Sequence, residues 1–293
     1  FGATHHEFML SSDDVLSLFT DAARFLDEPI GNATALSQLY LARMVKPTAT
    51  VVLTGDGGDE MFGGYERYRM AHIAEMYGNL VPKFFAQGKL EHVHLSGVDR
   101  FSQLMFQKDT EIKGMIAKDF SLPNTKELFE NEFGGDIALS LMNADEKHWL
   151  ADEALMRSDK MAMAASVESR VPFLDLEVRA LARSLPREYL VTPFSTKRVL
   201  KEAFRDVLPL ELLAQPKRGW FSPGAKWLRH PNFVAHAERA FTPEYAPGVS
   251  ALVDFASVRR MWEGHREKRA YHYTLLYALL AFQEWAREYK VSL

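Results

Sequence analysis

The stretch Thr54-Gly55-Asp56-Gly57-Gly58-Asp59-Glu60-Met61-Phe62-Gly63-Gly64-Tyr65 follows directly on a β-branched apolar run, Thr50-Val51-Val52-Leu53. The run has the character of a buried parallel strand. In open α/β sheets ligands bind beyond the carboxyl ends of strands, so the loop over 54–65 lies where a site is expected. Its glycines let backbone N–H groups approach an anion. Asp56, Asp59 and Glu60 would repel a bare phosphate unless a hard cation such as Mg²⁺ lay between them. A nucleotide with its metal fits that chemistry, and a glycine-rich turn with solvated acids is the plainer alternative.

Two helical patterns, over 13–26 and 33–46, precede the strand and give the alternation of a layered α/β fold. Beyond the loop strand signals nearly vanish. From 65 to 293 the chain is almost entirely helix-patterned and punctuated by prolines, among them Pro123, Pro172, Pro216 and Pro223. The organisation expected is an α/β portion over 1–75, a helical cap over 76–145 and a helical portion with site loops over 146–293. Within the cap, 77–142 carries no charged constellation and is expected to frame a cleft. A last helix over 271–289, with Phe282 and Trp285 at helical spacing, reads as core or as a contact in a homodimer. His5-His6-Glu7 reads as strand sequence rather than a metal site, because adjacent strand residues point to opposite faces.

Composition narrows the function classes. With 293 residues and 47% hydrophobic content, the chain can bury a substantial core in one composite domain or two. A net charge of -4 gives no reason to expect a nucleic-acid partner. Zero cysteines exclude disulfides, thiolate metal sites and a cysteine nucleophile within these residues. No apolar run approaches a membrane span and no signal-peptide pattern opens the sequence, so a cytoplasmic protein is expected. The start without Met reads as a piece of a longer polypeptide.

Two further constellations carry ionisable groups. In Arg157-Ser158-Asp159-Lys160-Met161-Ala162-Met163-Ala164-Ala165-Ser166-Val167-Glu168-Ser169-Arg170-Val171-Pro172-Phe173-Leu174-Asp175, Arg157 and Lys160 are expected on one helix face. Pro172 is expected to end that helix, leaving Glu168 and Arg170 at its C-terminal end. An acid there runs against the helix dipole and needs a partner, for which Arg170 is nearest. The cluster reads either as an ion-pair network that fixes geometry or as a substrate-positioning group. Lys197 opens a helix in Ser195-Thr196-Lys197-Arg198, where a cation suits phosphate. Lys217, in Pro216-Lys217-Arg218-Gly219-Trp220, lies in a rigid aromatic loop where one ammonium could face a leaving group. Each lysine taken alone also reads as an ordinary solvated group.

Taken in order, the Gly55–Tyr65 loop, the Ser166–Asp175 segment and Pro216-Lys217 resemble the C-terminal synthetase domain of the glutamine-dependent asparagine synthetases. β-Lactam synthetases are relatives of that family, and the likeness covers essentially all of 1–293. The resemblance implies an ATP-pyrophosphatase-type α/β fold, with a partial parallel sheet followed by a large helical part. It also implies a ligase that uses ATP and Mg²⁺ to adenylate aspartate and then admits ammonia delivered from glutamine by an upstream glutaminase domain. On that reading Asp59 is a Mg²⁺ ligand, and Thr54, Gly55, Gly57 and Gly58 belong to the nucleotide pocket. Lys197 meets pyrophosphate, Lys217 acts in amide formation, and Asp56 and Glu168 lie near the substrate. The family's Ser-Gly-Gly-x-Asp-Ser loop and its nucleophilic cysteine are absent from 1–293, so the chain is expected to hold half of the Mg²⁺-ATP site and to be inactive alone. Asp56 stands where many asparagine synthetases carry Glu, which leaves open an acceptor other than aspartate, as in antibiotic or surface-polysaccharide pathways. A non-catalytic paralogue is a third reading.

Overall fold

The computed structural model describes residues 2–80, 93–95, 97–100, 112–117, 127, 129–215, 217–220 and 222–293. Helix α1 (Val15–Phe25) places Val15, Leu18, Phe19, Ala22 and Ala23 on one buried face at the three-and-four spacing of an amphipathic helix. Helix α2 (Thr34–Val45) begins where the Asn32 side chain accepts a hydrogen bond from the Thr34 amide at 3.0 Å. Strand β1 (Val51–Leu53) then leads into the short helix α3 (Gly58–Phe62) and into α4 (Glu66–Tyr77). Both patterns upstream of the glycine loop are therefore helices, within two residues of the expected ends.

Leu18, Phe19, Leu36, Leu39, Met161, Phe233, Leu276 and Leu280 form the larger core, in which α1 and α2 pack with the helix Tyr273–Glu288. The expected last helix is thus core. Full burial of each such side chain contributes about 1.5–3 kcal/mol. A second cluster, built from Met61, Phe62, Tyr68, Leu141, Leu150 and Leu190, lies under α3 and α4. The glycine loop runs between the two.

A long helix supplies one wall of the site. It starts at Ile137, where the Asp136 carboxylate accepts from the amides of Ala138 and Leu139 at 2.9 and 3.1 Å. It widens to π-helical pairing over Asp145–Leu155 and continues as Met156–Met163. π-Helical turns are rare and concentrate at functional sites.

Several expectations are corrected here. The segment after Met163 does not stay helical up to Pro172. Ser166 adopts a left-handed conformation with φ 56° and turns the chain into strand β2 (Glu168–Arg170). β2 pairs in parallel with β1 in the register Val51 with Glu168, Val52 with Ser169 and Leu53 with Arg170. Glu168 therefore sits on a strand and not at a helix C-terminus. β1 is parallel as expected, yet it is not buried on both faces. Val51 is 50% exposed and Leu53 75%, because no layer covers that face among the described residues. His5-His6-Glu7 lie in exposed irregular chain rather than a strand. Much of the expected cap over 76–145 falls outside the described residues, as do Pro123 and Pro216. Among the described residues no helix is long and apolar enough to cross a membrane.

One buried charge tests the core directly. Glu284 has no exposure, and it is held by the Tyr245 hydroxyl, by Arg287 and by His236 Nε2 at 3.4 Å. Burial alone would raise its carboxyl, but His236, Tyr245 and Arg287 together bring it down to about 2. A folded-state pKa below the unfolded value, roughly 4.3, contributes stability that is present above that value. The contribution is lost as pH falls towards 2. Glu284→Ala should destabilise the chain by about 1–3 kcal/mol at neutral pH, since it leaves the Tyr245 hydroxyl and the buried His236 without their acceptor. Urea unfolding measured from pH 7 to 3 checks both points, and Glu284→Gln should flatten the acid limb.

Candidate active site

The glycine loop turns at the carboxyl end of β1 because Gly57 has φ 83°, a conformation that side chains resist, and a Cβ there would meet Leu174 at 2.3 Å. The turn starts α3 and brings Asp59 inward. Its Oδ1 lies 2.8 Å from Lys197 Nζ, and its Oδ2 accepts a hydrogen bond from Lys217 Nζ. A Cβ on Gly64 would stand 1.9 Å from Asp59 Oδ1 and 2.3 Å from Lys197 Cε, so glycine at 64 is what admits this contact. Burial would raise the Asp59 carboxyl, yet the two ammonium groups outweigh it and hold it below the usual carboxylate value. Lys217 Nζ also lies 5.6 Å from the centre of the Tyr65 ring. Lys197 opens the helix Arg198–Ala203 as expected, in a left-handed conformation with φ 51°.

Two cavities meet at Lys217, and Asp59 lines one of them. One of about 510 Å³ is lined largely by apolar groups, including Leu41, Val45, Val52, Ala162 and Val167, together with Thr54. The other, about 290 Å³, is the more polar of the two and includes Asn32, Asp59, Glu60, Tyr65, Trp149 and Arg157. Gln38, Gly55, Asp56, Lys217 and Trp220 border both. Asp56 is fixed between them, with Oδ2 accepting from Thr54 Oγ1 at 2.9 Å and from Ser158 Oγ at 3.0 Å. The Lys217 loop is tied to α2 through Ser222 Oγ and Ser37 Oγ, 2.7 Å apart.

The structure thus brings together Thr54, Gly55, Asp56, Gly57, Asp59, Lys197 and Lys217. Gly58 packs against Phe173, where a Cβ would approach to 3.1 Å. Glu168 is not brought to the cluster. It pairs with Arg170 at 2.6 Å as expected, but both side chains are about half exposed or more. Ser169 takes the inward position, lines the larger cavity and has a buried Oγ without a partner among the described residues. Arg157 and Lys160 part company as well. Arg157 is buried on Glu153 and Gln38, whereas Lys160 pairs with Asp27 at 2.7 Å. Sequence reasoning missed Gln38, Trp149 and Ser158 as site residues. They carry no local signal, because distant helices deliver them.

The fit of a divalent cation follows from these partners. The loop acids do not converge on one point. Asp56 faces hydroxyls, Asp59 faces two lysines, and Glu60 accepts from Tyr65 OH at 2.7 Å. Asp59 is one ionised carboxylate already held by two ammonium groups, so these residues form no all-protein cage, and Mg²⁺ would be held here only together with oxygens of a bound phosphate.

An apolar slot and a charged chamber that share one wall, set at the end of parallel strands, define an α/β protein with a two-part ligand site. Residues 1–287 match the asparagine synthase family model. The chain belongs to that family. It is 30% identical over 97% of its length to a putative glutamine-hydrolysing asparagine synthetase of Mycobacterium tuberculosis. It is 25% identical over 94% of its length to glutamine-hydrolysing asparagine synthetase 1 of Bacillus subtilis. In both comparisons it spans 46% of the relative, so the chain covers about half the length of these proteins. The amidase chry2 of Gibberella zeae is 22% identical over 77% of the chain and 40% of its own length.

Gly64→Ala should destabilise the chain by about 1–3 kcal/mol in urea unfolding, the range for overpacking a fitted contact. A good part of that loss should vanish in an Asp59→Ala background, where the clashing carboxylate is gone. Strictly additive losses would place the glycine's constraint elsewhere.

Proposed function

We propose that this chain is the synthetase part of an ATP-dependent amide-forming ligase. It adenylates the side-chain carboxylate of aspartate, and ammonia released from glutamine then displaces AMP to give asparagine. Family membership supports a ligase of this kind. The observation that carries the reading is the Asp59–Lys197–Lys217 cluster, in which Lys217 borders both cavities and Asp59 lines the polar one. The apolar cavity suits an adenine ring, with Thr54 and Gly55 at its edge. The polar chamber suits the acceptor carboxylate, and the fold proposed is of the ATP-pyrophosphatase type.

Joining two anions requires that their charge be neutralised. Lys197 and Lys217 give the site two fixed cations, both held on Asp59. Asp59 would hold Mg²⁺ when nucleotide binds, and that ion supplies further neutralisation of the triphosphate. Lys197 meets the departing pyrophosphate, and backbone N–H groups near Gly57 and Gly58 face the phosphates. Lys217 stabilises charge on the acyl-adenylate as ammonia attacks.

A second acceptor is favoured by one observation. Asp56 is a methylene shorter than the Glu of many asparagine synthetases and is pinned to Thr54 and Ser158, which limits its reach into the chamber. Another carboxylate of similar size would then be the substrate. Aspartate-dependent exchange of pyrophosphate into ATP by the full-length protein, followed by asparagine formation, distinguishes the two. Exchange with a different carboxylic acid and none with aspartate would select the second reading.

Lys217→Ala in the full-length protein should lower kcat by a factor of roughly 10² to 10⁴, the usual worth of a positioned acid or charge in a transition state. Lys217→Arg should rescue little, because a planar guanidinium cannot release its proton and fits the Asp59 contact differently. Melting temperatures of both variants should stay within a few degrees of the parent, since Lys217 lies in a loop. Near-normal kcat in Lys217→Ala would remove the lysine from the chemistry.

A further inference from the structure

Away from the glycine loop, α4 and the helix that starts at Ile137 bring together three side chains able to ligate a metal. His72 and Glu75 stand one helical turn apart on α4 and share a face, and Asp136 caps the Ile137 helix that packs against it. One ring nitrogen of His72 and one carboxylate oxygen each of Glu75 and Asp136 lie within 4.8 Å of one another. The chemistry above uses none of them. His72 is 5% exposed, and its buried Nδ1 has no hydrogen-bond partner among the described residues. A buried polar nitrogen is ordinarily paired, so an orphan at the centre of a ligand cluster calls for an explanation. Asp136 is already oriented. Its Oδ1 accepts from the amides of Ala138 and Leu139, and its Oδ2 meets only Arg187 Nε, at 2.8 Å, which leaves that oxygen room for a second contact. Glu75 is exposed and forms no hydrogen bond or ion pair with a described residue, so it is free to rotate.

We propose that His72, Glu75 and Asp136 form a binding site for a first-row transition-metal dication of the Zn²⁺ type. Around such an ion, bonds of about 2.0–2.2 Å set the ligand atoms roughly 3.3 Å apart, so small side-chain rotations, chiefly of Glu75, close the present spacing. The ligand set decides the metal. Imidazole with carboxylates suits Zn²⁺ and its neighbours in the series, whereas Mg²⁺ and Ca²⁺ favour shells made of oxygen alone. The Arg187 guanidinium on Asp136 acts in the same direction. Its charge weakens any cation site, and it weakens most a site that has only electrostatic attraction to offset it. Three protein ligands leave a coordination position open, and Glu75 also lines a cavity of about 370 Å³ through which an ion and its water can enter. Bound there, the ion would clip α4, which follows the glycine loop, to the long helix that walls the polar chamber. The proposal stands independently of the amide-ligase reading.

The test uses the full-length protein, stripped of metal with a chelator and titrated with ZnCl₂ by calorimetry, with thermal unfolding measured in parallel. The parent should bind Zn²⁺ at this cluster, and its Tm should rise with Zn²⁺ concentration because the ion binds the folded chain. Glu75→Gln replaces an exposed side chain by one of equal size, so its metal-free Tm should match that of the parent. It should nevertheless lose one Zn²⁺ equivalent, or bind it at least roughly tenfold more weakly, together with the rise in Tm. His72→Ala should do the same, and where loss of the buried ring disturbs the fold, Glu75→Gln decides alone. Zn²⁺ held elsewhere, as on His5 and His6, would be common to the parent and both variants. A large excess of MgCl₂ should leave the bound Zn²⁺ in place. A parent that binds no Zn²⁺, or a Glu75→Gln variant that keeps every equivalent at the parent's affinity, would overturn the site. Ready displacement of Zn²⁺ by Mg²⁺ would overturn the assignment to a transition metal.

Discussion

The site depends on one carboxylate shared by two ammonium groups. Asp59 joins the glycine loop to Lys197 and Lys217, three positions that lie far apart in the sequence, and its side chain is only 16% exposed. The two lysines share one carboxylate, while Asp56 and Glu60 of the same loop face only hydroxyls. The absence of a side chain at Gly64 is what lets this contact form.

How much of this was legible in the sequence varies with the range of the interactions involved. Helices α1 and α2 were legible because their apolar positions repeat at the helical spacing, and that periodicity is local. The Asp59 loop was legible because glycine and carboxylate chemistry is written in consecutive residues. Strand β2 was not. Glu168-Ser169-Arg170 has no apolar alternation, and only pairing with β1, more than a hundred residues earlier, makes it a strand. The misplacement of Glu168 follows from that. A helix end would have turned it towards the site, whereas the period of two in a strand sends Ser169 inward and Glu168 out. The exposure of Leu53 was equally hidden, since it depends on which layers cover the sheet and not on Leu53 itself.

The wall opposite the glycine loop illustrates the same limit from the other side. Trp149, Leu150, Ala154 and Arg157 reach the polar chamber from a stretch that widens into π-helical pairing. The same stretch contributes Asp145, which fixes Arg67, and Glu153, which fixes Arg157 and Asn32. Arg157 on this wall and Arg67 on α4 thereby each have an acid of their own. Lys197 and Lys217 share one acid between them. These two lysines lie beside the glycine loop, where the proposed reaction develops negative charge. The opposite wall is left to fix shape and acceptor fit.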